Sequence, residues 1–316
     1  MKDTIDAPGY AKFEHPEVTA RGETRAEVAL TRLETLWFNT GTLCNITCAN
    51  CYIDSSPTND ALVYLNADEV SDYLAQVAAR DGGTREIGFT GGEPFMNPEM
   101  VEMARRSLEA GHEVLILTNA MRPMMRPRVQ AGLRALIGTY GDRLTFRISV
   151  DHWDRANHDT ERGAGAFERT LEGMRWLSAE GARLAVAGRT VWGESERAAR
   201  DGYARLFRRE GFAIDADDPG RTVLFPEMDE TAEVPEITTA CWGILGKSPD
   251  SVMCSSSRMV VKRKGAEAPS VVACTLLPYD PAFDLGRTLE QADRPVRLKH
   301  PHCAKFCVLG GASCSA

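Results

Sequence analysis

Nine cysteines occur in this 316-residue chain, and their placement marks two places where chemistry could be done. Three of them fall in Cys44-Asn45-Ile46-Thr47-Cys48-Ala49-Asn50-Cys51, with Tyr52 next. Thiolates this close in sequence can wrap one compact metal centre. A structural zinc site closes on four ligands, commonly two pairs, and a ferredoxin-type cluster takes four cysteines. Three leave one coordination position open, which suits a cluster that must bind a further molecule. The competing reading is a zinc knuckle completed by a distant residue. The other six cysteines begin at Cys241: Cys254 and Cys274 flank a short apolar stretch, and Cys303, Cys307 and Cys314 follow in the tail.

A second pattern is Thr90-Gly91-Gly92-Glu93-Pro94. Paired glycines permit close backbone approach, Pro94 fixes the exit of the turn, and the Glu93 carboxylate can accept a hydrogen bond from an ammonium group. Read alone, this is a tight loop.

These residues need elements to position them. Strand-like apolar runs occupy 33–38, 86–90, 114–118, 144–150, 184–191 and 223–226. Helix-like stretches fill the intervals at 67–79, 98–110, 124–137, 166–179 and 195–209, with Leu74, Val77 and Ala78, and Leu171, Met174 and Leu177, at helical spacing. Gly111, Gly181 and Gly211 stand where a left-handed residue ends a helix. Strand–helix alternation predicts a parallel sheet with right-handed crossovers. Six units favour a partial (β/α)6 barrel of TIM type, an α/β fold, over a closed eight-unit barrel. An open flavodoxin-like sheet is the alternative, and both put the ligand at the carboxyl ends of the strands. The cysteine triad then lies in the first strand–helix loop and the Gly-Gly turn at the end of the second strand. After about residue 230 helical period is lost, and Cys, Pro, Gly and Ser become frequent. Runs at 259–264 and 270–274 around a turn at Gly265 predict a hairpin. The expected organisation is an arm over 1–32, a barrel over 33–232 and a smaller Cys-rich domain over 233–316.

Cys-x3-Cys-x2-Cys followed by an aromatic residue, on the first loop of such a chain, resembles the radical S-adenosylmethionine (SAM) superfamily. The resemblance implies a [4Fe-4S] cluster on Cys44, Cys48 and Cys51, whose fourth iron chelates the amino and carboxylate groups of SAM. Reduction then cleaves SAM to methionine and a 5′-deoxyadenosyl radical, which abstracts hydrogen from the substrate. It further implies Tyr52 beside the adenine and residues 91–94 as the family's Gly-Gly-Glu-Pro motif, with Glu93 on the methionine ammonium. At the ends of later strands, Asn119, Ser149 and Asp151 match nucleoside-contacting positions, and Arg189 is placed to meet the SAM carboxylate. The segment Asn157-His158-Asp159 to Arg162-Gly163 resembles the molybdenum-cofactor and peptide-modifying branches, with His152 and His158 as candidate substrate contacts. The tail resembles the SPASM/Twitch auxiliary domains. It departs from the full SPASM pattern, and one auxiliary [4Fe-4S] cluster on Cys254, Cys274, Cys303 and Cys307 fits better than two, with Cys314 and Cys241 as competing ligands and zinc as the competing metal.

Composition narrows the partners. Hydrophobic residues are 43%, charged residues 26% and the formal net charge −8. This argues against a nucleic-acid binder with a broad basic face. No apolar run reaches the ~20 residues of a membrane span. Residues 1–16 carry no apolar core of a secretory signal, and the expected compartment is the cytoplasm, where thiols stay reduced. Residues 241–316 carry +4, which could balance a bound anionic cluster. The expected function is therefore a radical SAM oxidoreductase or modifying enzyme acting oxidatively on a peptide or small metabolite. Its partner would be a reductant such as flavodoxin or ferredoxin, with no nucleic acid and no membrane. A Mo-cofactor GTP cyclase should end in Gly-Gly, and this chain ends Ser313-Cys314-Ser315-Ala316. A peptide maturase often carries a leader-binding domain of ~80 residues, against some 32 before the first strand here. The alternative class is a non-catalytic iron–sulfur or zinc protein, for electron transfer or structure.

Overall fold

The computed structural model describes residues 9–80, 83–227, 229 and 231–311. Six strands form its centre: β1 (Thr35–Asn39), β2 (Glu86–Thr90), β3 (Glu113–Thr118), β4 (Leu144–Ser149), β5 (Arg183–Arg189) and β6 (Thr222–Phe225). They are rich in Val, Ile, Leu and Phe, as strands covered on both faces are. All six are parallel, and their spatial order is their chain order. A doubly wound sheet reverses strand order at a switch point; β1 to β6 never reverse, so the partial barrel is the architecture.

The crossover helices are α1 (Ala67–Ala79), α2 (Met100–Glu109), α3 (Pro127–Tyr140), α4 (Arg155–Arg162), α5 (Ala166–Ala179) and α6 (Glu196–Glu210). Local chemistry sets their ends. Asn66 and Glu69 make a reciprocal capping box on α1, and Ser195 caps α6. Gly111, Gly181 and Gly211 take left-handed backbone, at φ 97°, 77° and 73°. The apolar stripes face inward, with Val70, Leu74 and Val77 of α1 and Leu171, Met174 and Leu177 of α5 all buried.

The sequence pattern did not predict α4. Its residues, Arg-Ala-Asn-His-Asp-Thr-Glu-Arg, have no apolar period. It forms because the Asp154 side chain accepts from the backbone N–H of Ala156 (2.9 Å) and Asn157 (3.4 Å), and it stops at Gly163, φ 92°.

The expected hairpin is present as β7 (Ser257–Val261) and β8 (Ser270–Val272), followed by β9 (Asp284–Gly286). Instead of forming a sheet of its own, β7 pairs in parallel with β1, which makes one nine-stranded sheet. The region after residue 233 therefore shares sheet and core with the barrel. The basic run of the hairpin is engaged: Lys262 meets Glu69 (2.5 Å), Arg263 meets Asp284 (2.5 Å) and Lys264 meets Asp60 (2.6 Å). The N-terminal segment lies on the same region. Glu27–Val28 pairs with Val296–Arg297, and buried Arg25 meets Glu236 at 2.6 Å. Among the described residues no helix is long and apolar enough to cross a membrane.

Candidate active site

The cysteine loop leaves β1 and is held from several sides. Backbone N–H groups of Gly92 and Glu93 donate to the carbonyls of Gly41 (2.9 Å) and Leu43 (3.2 Å), and the Cys44 N–H donates to Ser56 (3.0 Å). Asn119 Nδ2 donates to Asn45 Oδ1 at 2.9 Å and lies 3.9 Å from Cys44 Sγ. The Ser55 N–H reaches Cys51 Sγ at 3.3 Å. Burial pushes the Cys44 thiol up to about 12 and raises Cys48 as well, while the Arg162 guanidinium acts against both shifts. A metal would hold both as thiolates.

The Gly-Gly turn lies directly against this loop. A Cβ on Gly92 would meet the Leu43 carbonyl oxygen at 2.4 Å, and one on Gly91, at φ 140°, would meet that of Gly41 at 2.5 Å. Only glycine lets the two backbones approach this closely. Glu93 departs from expectation. Its carboxylate is buried, 1% exposed, and accepts from Thr118 Oγ1 (2.7 Å), Asn119 N (2.8 Å) and Phe95 N (3.2 Å). Burial raises its pKa against those three donors. Glu93 and Pro94 do not line the cavity described below, whereas Thr90, Gly91 and Gly92 do. Glu93 fastens β2 to the end of β3, and Thr90, Gly91 and Gly92 form part of the cavity wall.

The unpredicted α4 delivers two more residues. Glu161 accepts from Asn50 Nδ2 (2.8 and 3.0 Å), its carbonyl accepts from Ala49 N (2.8 Å), and Arg189 Nη1 stands 3.3 Å from its carboxylate. Arg162 forms a bidentate pair with Asp151, at 2.6 and 3.1 Å. Burial alone would raise Asp151; the adjacent guanidinium outweighs it and holds the carboxyl below its usual range. His152 and His158 are not in the cavity. His152 is bonded to Glu194 (2.8 Å) and takes the Asp154 N–H (2.9 Å). His158 is wholly buried against Phe167, with neither ring nitrogen partnered among the described residues, and burial pushes it down to about 4.

These groups surround a cavity of ≈ 160 Å³ at the carboxyl ends of the strands. Cys44, Cys48, Cys51, Tyr52, Asn119, Ser149, Asp151 and Arg189, singled out by motif and strand position, all line it. Arg162, Leu276 and Phe306 line it unpredicted. The signal for Arg162 lay in the segment from Asn157 to Gly163; Phe306 was visible only as the residue between two cysteines.

The second cysteine group is assembled by β7, β8 and a π-helical turn, Cys303–Leu309. Cys303 lies within the electrostatic reach of both Cys254 and Cys274, and burial raises Cys254 to about 11 and Cys303 well above its ordinary value. Cys307 follows one turn after Cys303. Cys241 Sγ takes the Thr238 N–H at 3.3 Å. Cys314 lies outside the described residues. Among the described residues no three His, Cys, Asp or Glu side chains stand close enough to hold a single metal ion. By donor chemistry alone, three thiols in the first group leave one iron of a four-iron cluster open, and the second group brings enough thiols to close one.

The Radical SAM superfamily sequence model matches residues 38–196, half of the chain, a span that includes the cysteine triad, the Gly-Gly turn and α4. The chain belongs to the radical SAM superfamily. Membership brings a [4Fe-4S] cluster and SAM, and members of the superfamily are enzymes. Among curated relatives, this radical SAM chain is 34% identical over 135 residues to an AdoMet-dependent heme synthase of Methanosarcina barkeri, covering 42% of this chain and 36% of the relative. It is 28% identical over 193 residues to AlbA, the antilisterial bacteriocin subtilosin biosynthesis protein of Bacillus subtilis, covering 59% and 40%. The chain thus spans well under half the length of these two relatives. Among solved structures, SuiB of Streptococcus suis bound to S-adenosylmethionine has a TM-score of 0.59 at 12% identity, covering 81% of this chain and 63% of that one. Native anSMEcpe with bound AdoMet has a TM-score of 0.57 at 14% identity, covering 86% and 82%. At such identities these two structures establish likeness of fold.

Proposed function

We propose that the chain is a radical SAM enzyme that oxidatively modifies a peptide, with one auxiliary [4Fe-4S] cluster. The observation that carries this is the single cavity in which Cys44, Cys48 and Cys51 face the Thr90–Gly92 backbone, Ser149 and the Asp151–Arg162 pair. When bound, the cluster supplies the electron that splits SAM into methionine and a 5′-deoxyadenosyl radical. The chain's own residues do the remaining work. The Gly91 carbonyl is offered to an ammonium group in place of the Glu93 side chain, because the Thr90 carbonyl already accepts from Thr40 N (2.8 Å) and Thr40 Oγ1 (2.9 Å). Arg162, beside Cys44 and Cys48, is the cation for the SAM carboxylate, with Arg189 further along the same wall. Tyr52, Asn119 and Ser149 face the nucleoside. Leu276, Phe306 and Phe225 close the cavity with an apolar wall that excludes water from the radical.

The likeness to SuiB and anSMEcpe covers 81% and 86% of this chain, and structures of these two proteins include complexes with precursor peptide SuiA and with a Cp18Cys peptide. This supports a peptide over a small metabolite. Cys254, Cys274, Cys303 and Cys307 are the proposed auxiliary ligands, and a cluster held by them would receive the electron left after hydrogen abstraction. The heme synthase match favours a second reading, a tetrapyrrole-like metabolite. Anaerobic incubation with SAM and dithionite tests the core of the proposal. The enzyme should release 5′-deoxyadenosine and methionine in equal amounts, and Cys48→Ala should abolish both. Equal release by Cys48→Ala, or none by the iron-loaded parent, contradicts it.

A further inference from the structure

Arg258, on β7, is wholly buried. Its guanidinium donates to four carbonyl oxygens, those of Cys254 (2.6 Å), Ser257 (2.8 Å), Ala292 (3.1 Å) and Arg294 (3.1 Å). These carbonyls satisfy its N–H groups but bring no net charge. Two comparable arginines meet a carboxylate: buried Arg25 reaches Glu236 and the largely buried Arg162 reaches Asp151, each at 2.6 Å. Among the described residues Arg258 has no such ion pair. Asp293, whose field reaches it, is half exposed and bonded to Arg80 at 2.7 Å. A buried charge without a counter-charge is strongly unfavourable. The groups beside Arg258 that can supply one are Cys254 and Cys274, whose fields favour its charged form. As thiols they are neutral; as metal-bound thiolates they are anionic.

We infer that Arg258 is the buried counter-ion of an auxiliary iron–sulfur cluster on Cys254, Cys274, Cys303 and Cys307, and that its charge raises the reduction potential of that cluster. The inference rests on the auxiliary cluster proposed above and adds the residue that tunes it. Net charge and nearby donors set cluster potentials, and a cation favours the reduced form, as an electron acceptor requires.

The test uses full-length protein carrying Cys44→Ala, Cys48→Ala and Cys51→Ala, so that only the auxiliary centre reports. Its reduced EPR signal is followed against a poised potential. Arg258→Gln should keep its iron and show a roughly tenfold smaller reduced-to-oxidised ratio at fixed potential, equal to ~59 mV for a one-electron couple. Arg258→Lys, which keeps the charge and loses the fork, should titrate with the parent. An iron-loaded Arg258→Gln protein with an unmoved midpoint overturns the inference. If circular dichroism shows that this variant does not fold, the neutral Arg258→Met takes its place: a midpoint lowered by that amount supports the inference and an unmoved one overturns it. Zinc in place of iron at this centre, or no metal, overturns the auxiliary-cluster reading itself.

Discussion

Glu93 and Gly92 are adjacent, yet they act in different ways. Glu93 gathers three donors from two strand ends. Glutamine at this position turns one acceptor oxygen into an N–H donor facing other donors. Leaving one buried donor unsatisfied costs about 1–3 kcal/mol. Glu93→Gln should therefore lower the denaturant midpoint by that equivalent, and an unchanged midpoint would show that the three bonds do not hold the turn. At Gly92 the conflict is steric, because an added Cβ meets backbone oxygens of Leu43 and Thr42 at 2.4 and 2.6 Å. Gly92→Ala should displace the cysteine loop and cost the protein its SAM-site iron while the auxiliary iron remains, as iron analysis per chain would read. Retention of all the iron would count against this contact. At this scale the sequence was informative where spacing itself encodes geometry: three cysteines and two glycines locate themselves. It could not show the partners of Glu93, because a side chain's direction depends on donors 25 residues away. Arg162 escaped notice because its partner Asp151 and the cysteines beside it meet only in the fold.

Among the elements, α4 joins stability to the site. It holds Glu161 and Arg162 against the cysteine loop, and His158 is buried beneath it as a neutral imidazole. Unfolded, His158 titrates near 6.5; folded, it is pushed down to about 4. Between those values the unfolded chain binds the additional proton, so stability is present above pH 6.5 and declines as pH falls towards 4. The contribution is on the order of 3 kcal/mol. His158→Leu should flatten this part of the stability–pH curve and stay within ~1 kcal/mol of the parent at neutral pH, since removing an unpartnered buried polar group is nearly neutral. A parallel curve for the variant would assign the acid sensitivity to other groups. The long amphipathic helices and buried strands were legible because their apolar periods are strong. α4 was not, because a polar eight-residue helix is specified by its Asp154 cap and by packing.

For the whole molecule, the region expected as a separate C-terminal domain extends the barrel's own sheet through β7 and contributes Leu276 and Phe306 to the cavity. The hairpin was readable from its two apolar runs. Its parallel pairing with β1, more than 200 residues earlier in the chain, had no local signal. One shared core predicts that the chain unfolds in a single cooperative transition. Fluorescence and circular dichroism should then give coincident denaturant curves, whereas two separated transitions would mean that the tail folds by itself.

The proposed enzyme holds two iron–sulfur centres, one open to SAM and one closed. This is tested most directly by iron and sulfide per chain after anaerobic reconstitution, in the parent and in the Cys44→Ala, Cys48→Ala, Cys51→Ala variant. Two four-iron clusters predict about eight irons falling to about four, with SAM altering the EPR spectrum of the parent alone. Iron absent from both proteins, or unchanged by loss of the triad, would contradict the assignment.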